Sequence, residues 1–223
     1  MAKRRSKARP NAGLPRLIAV EGCIGAGKST LTSVLSKRFN ATQILEDSKR
    51  HPFLEAFYSA PAEHAFETEL GFILLHYHQL KKVWSGYGSG RLYLSDFAFE
   101  KDEIFPPLTL KSKTDRQHFA ALYQELKARL PSPEVIIYIR CTTPFLMERI
   151  QQRGRPYEAK ISVDYLDRLN KAYDQHFLGS IASEVISIDG AALDVEPGRG
   201  FSERVFRRWQ AALPAGHWLA KRA

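Results

Sequence analysis

A glycine-rich segment near the start of the chain constrains the fold and the ligand more than any other feature. Residues 22–29 read GCIGAGKS, which fits the pattern G-x-x-x-x-G-K-[ST]. An apolar run at 17–20 precedes it, and residues 30–39 place apolar side chains at helical spacing. A strand, a glycine turn and a helix N-terminus direct backbone N–H groups at one point, which suits a polyphosphate. The segment therefore predicts a phosphate loop for a nucleoside triphosphate with Mg²⁺.

The parts of this loop have different expected tasks. Gly25 and Gly27 let the backbone approach the phosphates closely. Lys28 is expected to reach the β- and γ-phosphates, and Ser29 to hold Mg²⁺. The residues expected to line the nucleotide site are Gly22, Cys23, Ile24, Gly25, Ala26, Gly27, Lys28, Ser29 and Thr30.

Composition indicates one soluble domain. The 223 residues are 44% hydrophobic and 26% charged, and no apolar run approaches the roughly 20 residues that span a bilayer. The two cysteines, Cys23 and Cys141, indicate reduced thiols and therefore a cytoplasmic location rather than a disulfide framework.

The net charge of +9 is concentrated at the N-terminus. Residues 1–16 carry six basic side chains and no acidic one. This composition predicts a disordered basic tail over 1–15 and a single domain over 16–215. A nucleic-acid-binding arm and an organelle-targeting peptide remain alternative interpretations of the tail, although nucleic acid is not the expected partner.

Predicted strands and helices alternate along the domain. Strands are predicted at 17–20, 43–45, 91–96, 134–140 and 184–189, and helices at 28–39, 51–58, 61–84, 114–130, 144–152, 163–178 and 202–213, with a turn at 86–90. This order predicts an α/β fold of the phosphate-loop NTPase type, with three layers and a mostly five-stranded parallel sheet flanked by helices. Ligands are expected at the carboxyl ends of its strands.

Two acidic residues follow predicted strands. Asp96 is expected to complete the Mg²⁺ shell opposite Ser29, although an aspartate in this position is also typical of a turn or a helix cap. Glu46 lies next to the expected γ-phosphate position and is able to accept a proton from an attacking hydroxyl. A solvated acid at a strand end is the alternative for Glu46.

Three arginines follow the pattern R-x-x-x-R-G-R. Arg149 and Arg153 share a helix face, and Gly154 allows Arg155 to turn the same way. Guanidinium groups that converge on a transferring phosphoryl group neutralise its oxygens, so the pattern predicts an arginine-bearing lid. The alternative is a basic helix end that complements the helix dipole.

The predicted helix 61–84 carries polar residues on an apolar face. Glu69, Phe72 and His76 share this face, and residues 71–75 are apolar all round and expected to be buried on every side. Buried Glu69 and His76 need partners, which are either each other or a ligand. A core histidine with satisfied hydrogen bonds is the simpler interpretation of His76.

From about residue 15 to 210 the chain resembles the deoxynucleoside kinases. Glu46 matches the family's glutamate that activates the nucleoside 5′-hydroxyl. Residues 51–58, HPFLEAFY, resemble a family stretch whose tyrosine, here Tyr58, meets the sugar 3′-hydroxyl. The lid pattern extends to Glu158, the other expected 3′-hydroxyl contact.

The sequence departs from the family at three positions. The signature [ED]-R-S reads Asp96-Phe97-Ala98, so its arginine is missing; Lys49, Arg50 or Lys101 is expected to replace that cation. Glu69 stands where a base-reading glutamine is usual and His76 where an arginine is usual, whereas Asp102 matches the base-pocket aspartate. The resemblance implies that Glu69, Phe72, His76 and Asp102 contact the base.

The expected activity is ATP-dependent 5′-phosphorylation of a deoxyribonucleoside by a Mg²⁺-dependent homodimer. Glu46, Lys28, Arg149, Arg153 and Arg155 are the expected catalytic residues. Three other activities remain open: a nucleoside-monophosphate kinase, a kinase relative with a non-nucleoside acceptor, and a nucleic-acid-binding ATPase.

Overall fold

The computed structural model describes residues 17–86, 91–179, 181–193 and 203–212. The predicted basic tail and residues 87–90 of the predicted turn lie outside this part of the chain. None of the described helices is long and apolar enough to cross a membrane. Cys23 and Cys141 are both free thiols.

Five strands form one sheet in the order β2-β3-β1-β4-β5. They are β1 Leu17–Glu21, β2 Thr42–Ile44, β3 Tyr93–Ser95, β4 Val135–Arg140 and β5 Glu184–Asp189. Every pairing between them is parallel. The five-stranded parallel sheet expected from the sequence is therefore confirmed.

Helices connect the strands. They are α1 Lys28–Phe39, α2 Leu54–Ser59, α3 Pro61–Gly86, α4 Pro106–Thr109, α5 Lys113–Lys127, α6 Thr143–Arg153, α7 Val163–Phe177, α8 Gly190–Leu193 and α9 Glu203–Ala212. Three 3₁₀ helices span Ser48–Arg50, Phe99–Glu103 and Pro156–Lys160. The segment 99–109 had no predicted element, because its charged residues and paired prolines lack an apolar period.

The core lies on both faces of the sheet. All five residues of β1 and the first five of β4 are buried, so consecutive side chains on either face are covered. Leu31, Val34 and Leu35 of α1 are completely buried in the same core cluster. The continuous apolar runs of β1 and β4 therefore reflect a sheet that is covered on both sides.

One expectation about α3 is wrong. Its centre was expected to be buried on every side, and Ile73 is indeed 0% exposed, but Leu74 is 52% exposed. A helix that packs on α2, α5 and the 3₁₀ helix Phe99–Glu103 along one side leaves its other side uncovered in the single chain.

Parallel strands bring the functional segments to one edge of the sheet. The phosphate loop follows β1, Glu46 lies two residues beyond β2, and Asp96 follows β3 directly. Because β2, β3 and β1 are neighbours, these three segments meet at their carboxyl ends.

Candidate active site

A cleft of about 280 Å³ opens at this edge of the sheet. The residues predicted for the site that line it are Ile24, Gly25, Ala26, Gly27, Lys28, Ser29, Thr30, Glu46, Tyr58, Glu69, Phe72, Asp96, Asp102, Arg149, Arg153, Arg155 and Glu158. Gly22, Cys23 and His76 are not on its wall. The structure therefore brings most of the predicted site together in one place.

The phosphate loop forms one end of the cleft. Gly25 and Gly27 have φ values of 89° and 94°, which L side chains rarely adopt. The ammonium group of Lys28 donates to the carbonyl oxygens of Gly22 at 2.7 Å and Cys23 at 3.3 Å. Burial lowers the pKa of Lys28. The lysine thus folds back over the loop whose ligand it is expected to hold.

Ser29 and Asp96 form the expected metal site. The Ser29 hydroxyl donates to Oδ2 of Asp96 at 2.5 Å, and Oδ1 of Asp96 accepts from the backbone N–H of Glu46 at 2.7 Å. Burial raises the pKa of Asp96, and the Ser29 hydrogen bond opposes this rise. A hydroxyl and a carboxylate are hard oxygen donors, so the residues present fit Mg²⁺.

Glu46 lies between two basic side chains. The ammonium group of Lys101 contacts Oε1 of Glu46, and Nε2 of His76 lies 2.8 Å from the same oxygen. Burial opposes ionisation of Glu46, but the adjacent Lys101 and His76 outweigh it and hold its pKa well below the usual range. Glu46 is therefore a carboxylate at neutral pH.

Among the three cations considered for the missing family arginine, Lys101 is the one at Glu46. Lys49 and Arg50 are exposed, and Arg50 pairs with Asp47 at 3.0 Å. Phe97, which occupies the arginine position, is completely buried and has its ring centroid 4.5 Å from that of His76. An apolar ring thus occupies this position, and a lysine of the following 3₁₀ helix contacts Glu46.

His76, which is expected to contact the base, is not among the residues that line the cleft. Its side chain is 0% exposed and lies behind the wall of the cleft. Its Nδ1 lies 2.9 and 2.8 Å from the two carboxylate oxygens of Asp102. Protein groups contact both edges of the ring, so it presents no exposed surface to the cleft.

Glu69 and Phe72 form another part of the wall of the cleft. Oε1 of Glu69 lies 2.8 Å from the Thr109 hydroxyl rather than against His76. Burial raises the pKa of Glu69 to about 8. The Phe72 ring packs on His51 with centroids 4.1 Å apart. This part of the wall presents a carboxyl group and an aromatic face.

Two of the three predicted lid arginines contact a buried carboxylate, that of Glu158. Arg153 makes two contacts with Glu158, from Nε to Oε2 at 3.0 Å and from a terminal nitrogen to Oε1 at 2.6 Å, and Arg155 approaches Oε1 at 3.4 Å. The Arg149 guanidinium lies 4.7 Å from the centroid of the Phe145 ring. All three arginines line the cleft.

The lid also contacts the segment before α3. Tyr58 of α2 stacks on Tyr157 of the lid with ring centroids 5.7 Å apart and an angle of 26°. Lys160 donates to the Ser59 hydroxyl at 3.0 Å. Tyr58 and Glu158, the two expected sugar contacts, therefore lie on neighbouring segments at one side of the cleft.

Glu21 was missed by sequence reasoning. It is 0% exposed at the end of β1 and accepts from the backbone N–H groups of Ala98 at 2.6 Å and Gly22 at 3.2 Å. Burial raises its pKa to about 7. The signal was available, because Glu21 is an isolated acid that continues an apolar strand. It ties the phosphate loop to the segment that follows Asp96.

Comparison with known proteins agrees with this geometry. The family model for deoxynucleoside kinase matches residues 18–213. A deoxyguanosine kinase of Bacillus subtilis is 34% identical over 193 residues, which cover 84% of this chain and 93% of that protein. A deoxyadenosine/deoxycytidine kinase of the same species is 28% identical over 179 residues, covering 77% and 81%.

A solved structure shares the fold. The deoxyadenosine kinase of M. mycoides with dCMP and a flexible dCDP bound superposes with a TM-score of 0.74 at 24% identity, covering 87% of this chain and 97% of that one. The family model spans nearly all of the described residues, including every element that lines the cleft. The chain belongs to the deoxynucleoside kinase family.

Proposed function

We propose that this kinase transfers the γ-phosphoryl group of ATP to the 5′-hydroxyl of a deoxyribonucleoside, with Glu46 as the base. The observation that carries the proposal is that one cleft joins a phosphate loop to a carboxylate held between two cations. A nucleoside-monophosphate kinase is disfavoured, because the Glu46 carboxylate would repel an acceptor that already bears a phosphate.

Glu46 accepts the proton of the 5′-hydroxyl as its oxygen attacks the γ-phosphorus. The bond from the γ-phosphorus to the oxygen it shares with the β-phosphate breaks, and ADP leaves with that electron pair. Phosphoryl transfer has a loose transition state, so the attacking hydroxyl becomes acidic only late in the reaction. A carboxylate with a low pKa is therefore an adequate base, and its main task is to orient the hydroxyl.

The phosphate loop binds the donor. Lys28 turns from the loop carbonyls to the β- and γ-phosphates, and the loop N–H groups cradle the polyphosphate. Ser29 and Asp96 hold Mg²⁺, which neutralises charge on the phosphate oxygens when it is bound.

The arginine-bearing lid supplies positive charge to the side of the phosphates opposite the phosphate loop. Arg149, Arg153 and Arg155 stabilise the oxygens of the transferring group, and closure of the lid excludes water from the cleft. Exclusion of water favours transfer to the nucleoside over hydrolysis of ATP.

The remaining walls bind the acceptor. Tyr58 and Glu158 hold the sugar, while Glu69, Phe72 and Asp102 contact the base. Relatives named deoxyguanosine kinase and deoxyadenosine kinase support a purine deoxynucleoside as the substrate, although one relative is named for deoxycytidine as well as deoxyadenosine. We further propose a cytoplasmic homodimer in which the exposed side of α3, with Leu74, is covered by the partner.

Nucleoside-dependent release of ADP from Mg·ATP tests the proposal. The panel contains all deoxyribonucleosides, ribonucleosides and dTMP, with Lys28→Ala as the inactive control. Saturable turnover on a deoxynucleoside, lost in the control, is the expected result. Turnover on dTMP alone, or on no member of the panel by folded protein that binds ATP, would contradict it.

A further inference from the structure

His76 lies beneath the surface of the cleft and contacts two acidic residues that line it. Its ring lies midway along α3, with Nδ1 2.8 Å from Oδ2 of Asp102 and Nε2 2.8 Å from Oε1 of Glu46. Asp102 and Glu46 both line the cleft, but His76 does not. One imidazole therefore connects the proposed base-binding wall to the proposed catalytic carboxylate.

Counting hydrogen-bond donors defines the charge of this ring. A neutral imidazole carries one N–H, whereas a carboxylate only accepts hydrogen bonds. With an acidic oxygen 2.8 Å from each ring nitrogen, a neutral ring would direct a lone pair at one of them. The imidazolium form donates to both, so the contacts fit the charged ring.

The electrostatic surroundings agree with this count. Burial opposes the charge on His76, Asp102 favours it, Lys101 opposes it, and the hydrogen bonds to Asp102 and Glu46 favour it. The net effect raises the pKa of His76 to about 9. The other titratable groups near the ring are Glu69 on α3 and His51 before α2.

Aromatic rings fix the plane of the imidazole. The centroid of Phe97 lies 4.5 Å away at an angle of 27°, and that of Phe72 lies 5.5 Å away at 33°. Stacked rings stabilise a cation and prevent the imidazole from rotating about its bond to the chain. The ring is thus held by its two edges and by its faces.

We propose that His76 is a positioning residue that acts as an imidazolium clamp, holding Glu46 in its productive orientation and linking it to the base-binding residue Asp102. The proposal rests on the proposed function and deepens it. The clamp is intact while His76 is protonated. As the pH rises above the pKa of His76, one hydrogen bond is lost, and Glu46 retains Lys101 as its basic partner.

The clamp predicts a specific kinetic pattern. His76→Gln lowers kcat at least tenfold, because both N–H groups of an amide lie on one nitrogen and cannot reach carboxylates at two separate edges of the ring, whereas the KM for ATP stays unchanged. The wild-type kcat falls as the pH rises through about 9. His76→Arg, which remains charged, retains its activity over the same range. His118→Gln, a substitution of an exposed histidine on α5, is the matched control and behaves as wild type.

A direct titration separates the clamp from the activity. Nitrogen NMR of the full chain with labelled histidine reports the protonation of each ring, and His76→Gln assigns the signal among the seven histidines. Two protonated nitrogens at about pH 7, with loss of a proton near pH 9, are expected. A neutral His76 ring at about pH 7 would overturn the clamp, even if the enzyme is active.

Kinetic measurements on His76→Gln are the second test of the clamp. A His76→Gln variant with the kcat and the alkaline pH dependence of the wild type would also overturn the clamp. If His76→Gln fails to fold, the wild-type titration, with the His76 signal assigned by its absence from His76→Arg, and the His76→Arg pH profile test the clamp. Absence of deoxynucleoside turnover in the wild type would instead contradict the proposed function, while the NMR titration would still test the clamp.

Discussion

The ammonium group of Lys101 contacts the carboxylate of Glu46, although 55 residues separate them in the chain. Glu46 follows β2 and Lys101 lies in the 3₁₀ helix after β3, and β2 and β3 are adjacent strands. We propose that this pairing replaces the arginine that the resemblance to the family leads us to expect at Phe97. The charge that a buried acid requires is supplied from a different point of the backbone.

Replacement of Lys101 tests this exchange. Lys101→Met should lower kcat about tenfold to a hundredfold, because Glu46 loses its orientation. This loss is part of the ~10²–10⁴-fold rate enhancement that a correctly positioned general base contributes. Lys101→Arg should recover part of the loss. The exposed Lys171→Met is the control. Steady-state kinetics that show equal kcat for Lys101→Met and the wild type would exclude the role.

The lid arginines should act on the transition state. Arg155→Ala is expected to lower kcat at least about tenfold and to change the nucleoside KM much less, because the charge that it stabilises appears during transfer. Arg168→Ala, on the exposed side of α7, should leave both constants unaltered. An effect of Arg155→Ala confined to KM would contradict the role in the transition state.

Gly71 provides room for a fixed ring. A Cβ atom there would lie 2.4 Å from Nε2 of His51, whose ring is held by Thr68 and Phe53. The strain should cost about 1–3 kcal/mol against ~1 kcal/mol gained in helix propensity, so Gly71→Ala should lower the free energy of unfolding by up to about 2 kcal/mol.

A double-mutant cycle isolates this contact. In a His51→Ala background the ring is absent, so Gly71→Ala should be neutral or slightly stabilising. Urea denaturation of the four proteins measures the coupling. An equal loss of stability in both backgrounds would show that the ring is not the cause.

Glu69 should make the stability of the fold depend on pH. The Thr109 hydroxyl lies 2.8 Å from Oε1 of Glu69 and 3.0 Å from the carbonyl oxygen of Phe105, and it carries one proton. A protonated Glu69 can donate to Thr109 and thereby satisfy both contacts. Burial raises the folded-state pKa of Glu69 from 4.5 to about 8, and a hydrogen bond donated by Thr109 opposes this rise.

The direction of this pH effect follows from the difference in proton binding between the folded and unfolded states. Because the folded state retains a proton that the unfolded state releases, the contribution of Glu69 to stability is lost as the pH rises from 4.5 to about 8. Glu69→Gln should therefore gain in Tm relative to the wild type over this range. The exposed Glu67→Gln is the control. A Tm difference that is independent of pH would contradict a protonated Glu69.

Much of the fold could be predicted from local patterns in the sequence. The glycine spacing of the phosphate loop and the apolar run of β4 identify the central strands, because a sheet covered on both faces needs such runs. The segment 99–109 did not follow, since its 3₁₀ helix buries Lys101 and Asp102 through contacts with Glu46 and His76 that are distant in sequence.

The candidate site was predictable as a set of residues but not as a network. Strand-end positions place Glu46 and Asp96 near the phosphate loop. The partners of His76 were not predictable, because spacing on α3 suggested Glu69, whereas tertiary packing brings Asp102 and Glu46 to the ring. Helical spacing limits which side chains share a face, but not which of them meet another element.

The role of Glu46 is tested most directly by Glu46→Gln, with kcat and the nucleoside Kd measured on the same protein and the exposed Glu55→Gln as control. We predict that kcat falls by about 10²–10⁴-fold while Kd changes little, because the amide preserves the shape of the site and cannot accept the proton. A kcat close to that of the wild type would contradict the account.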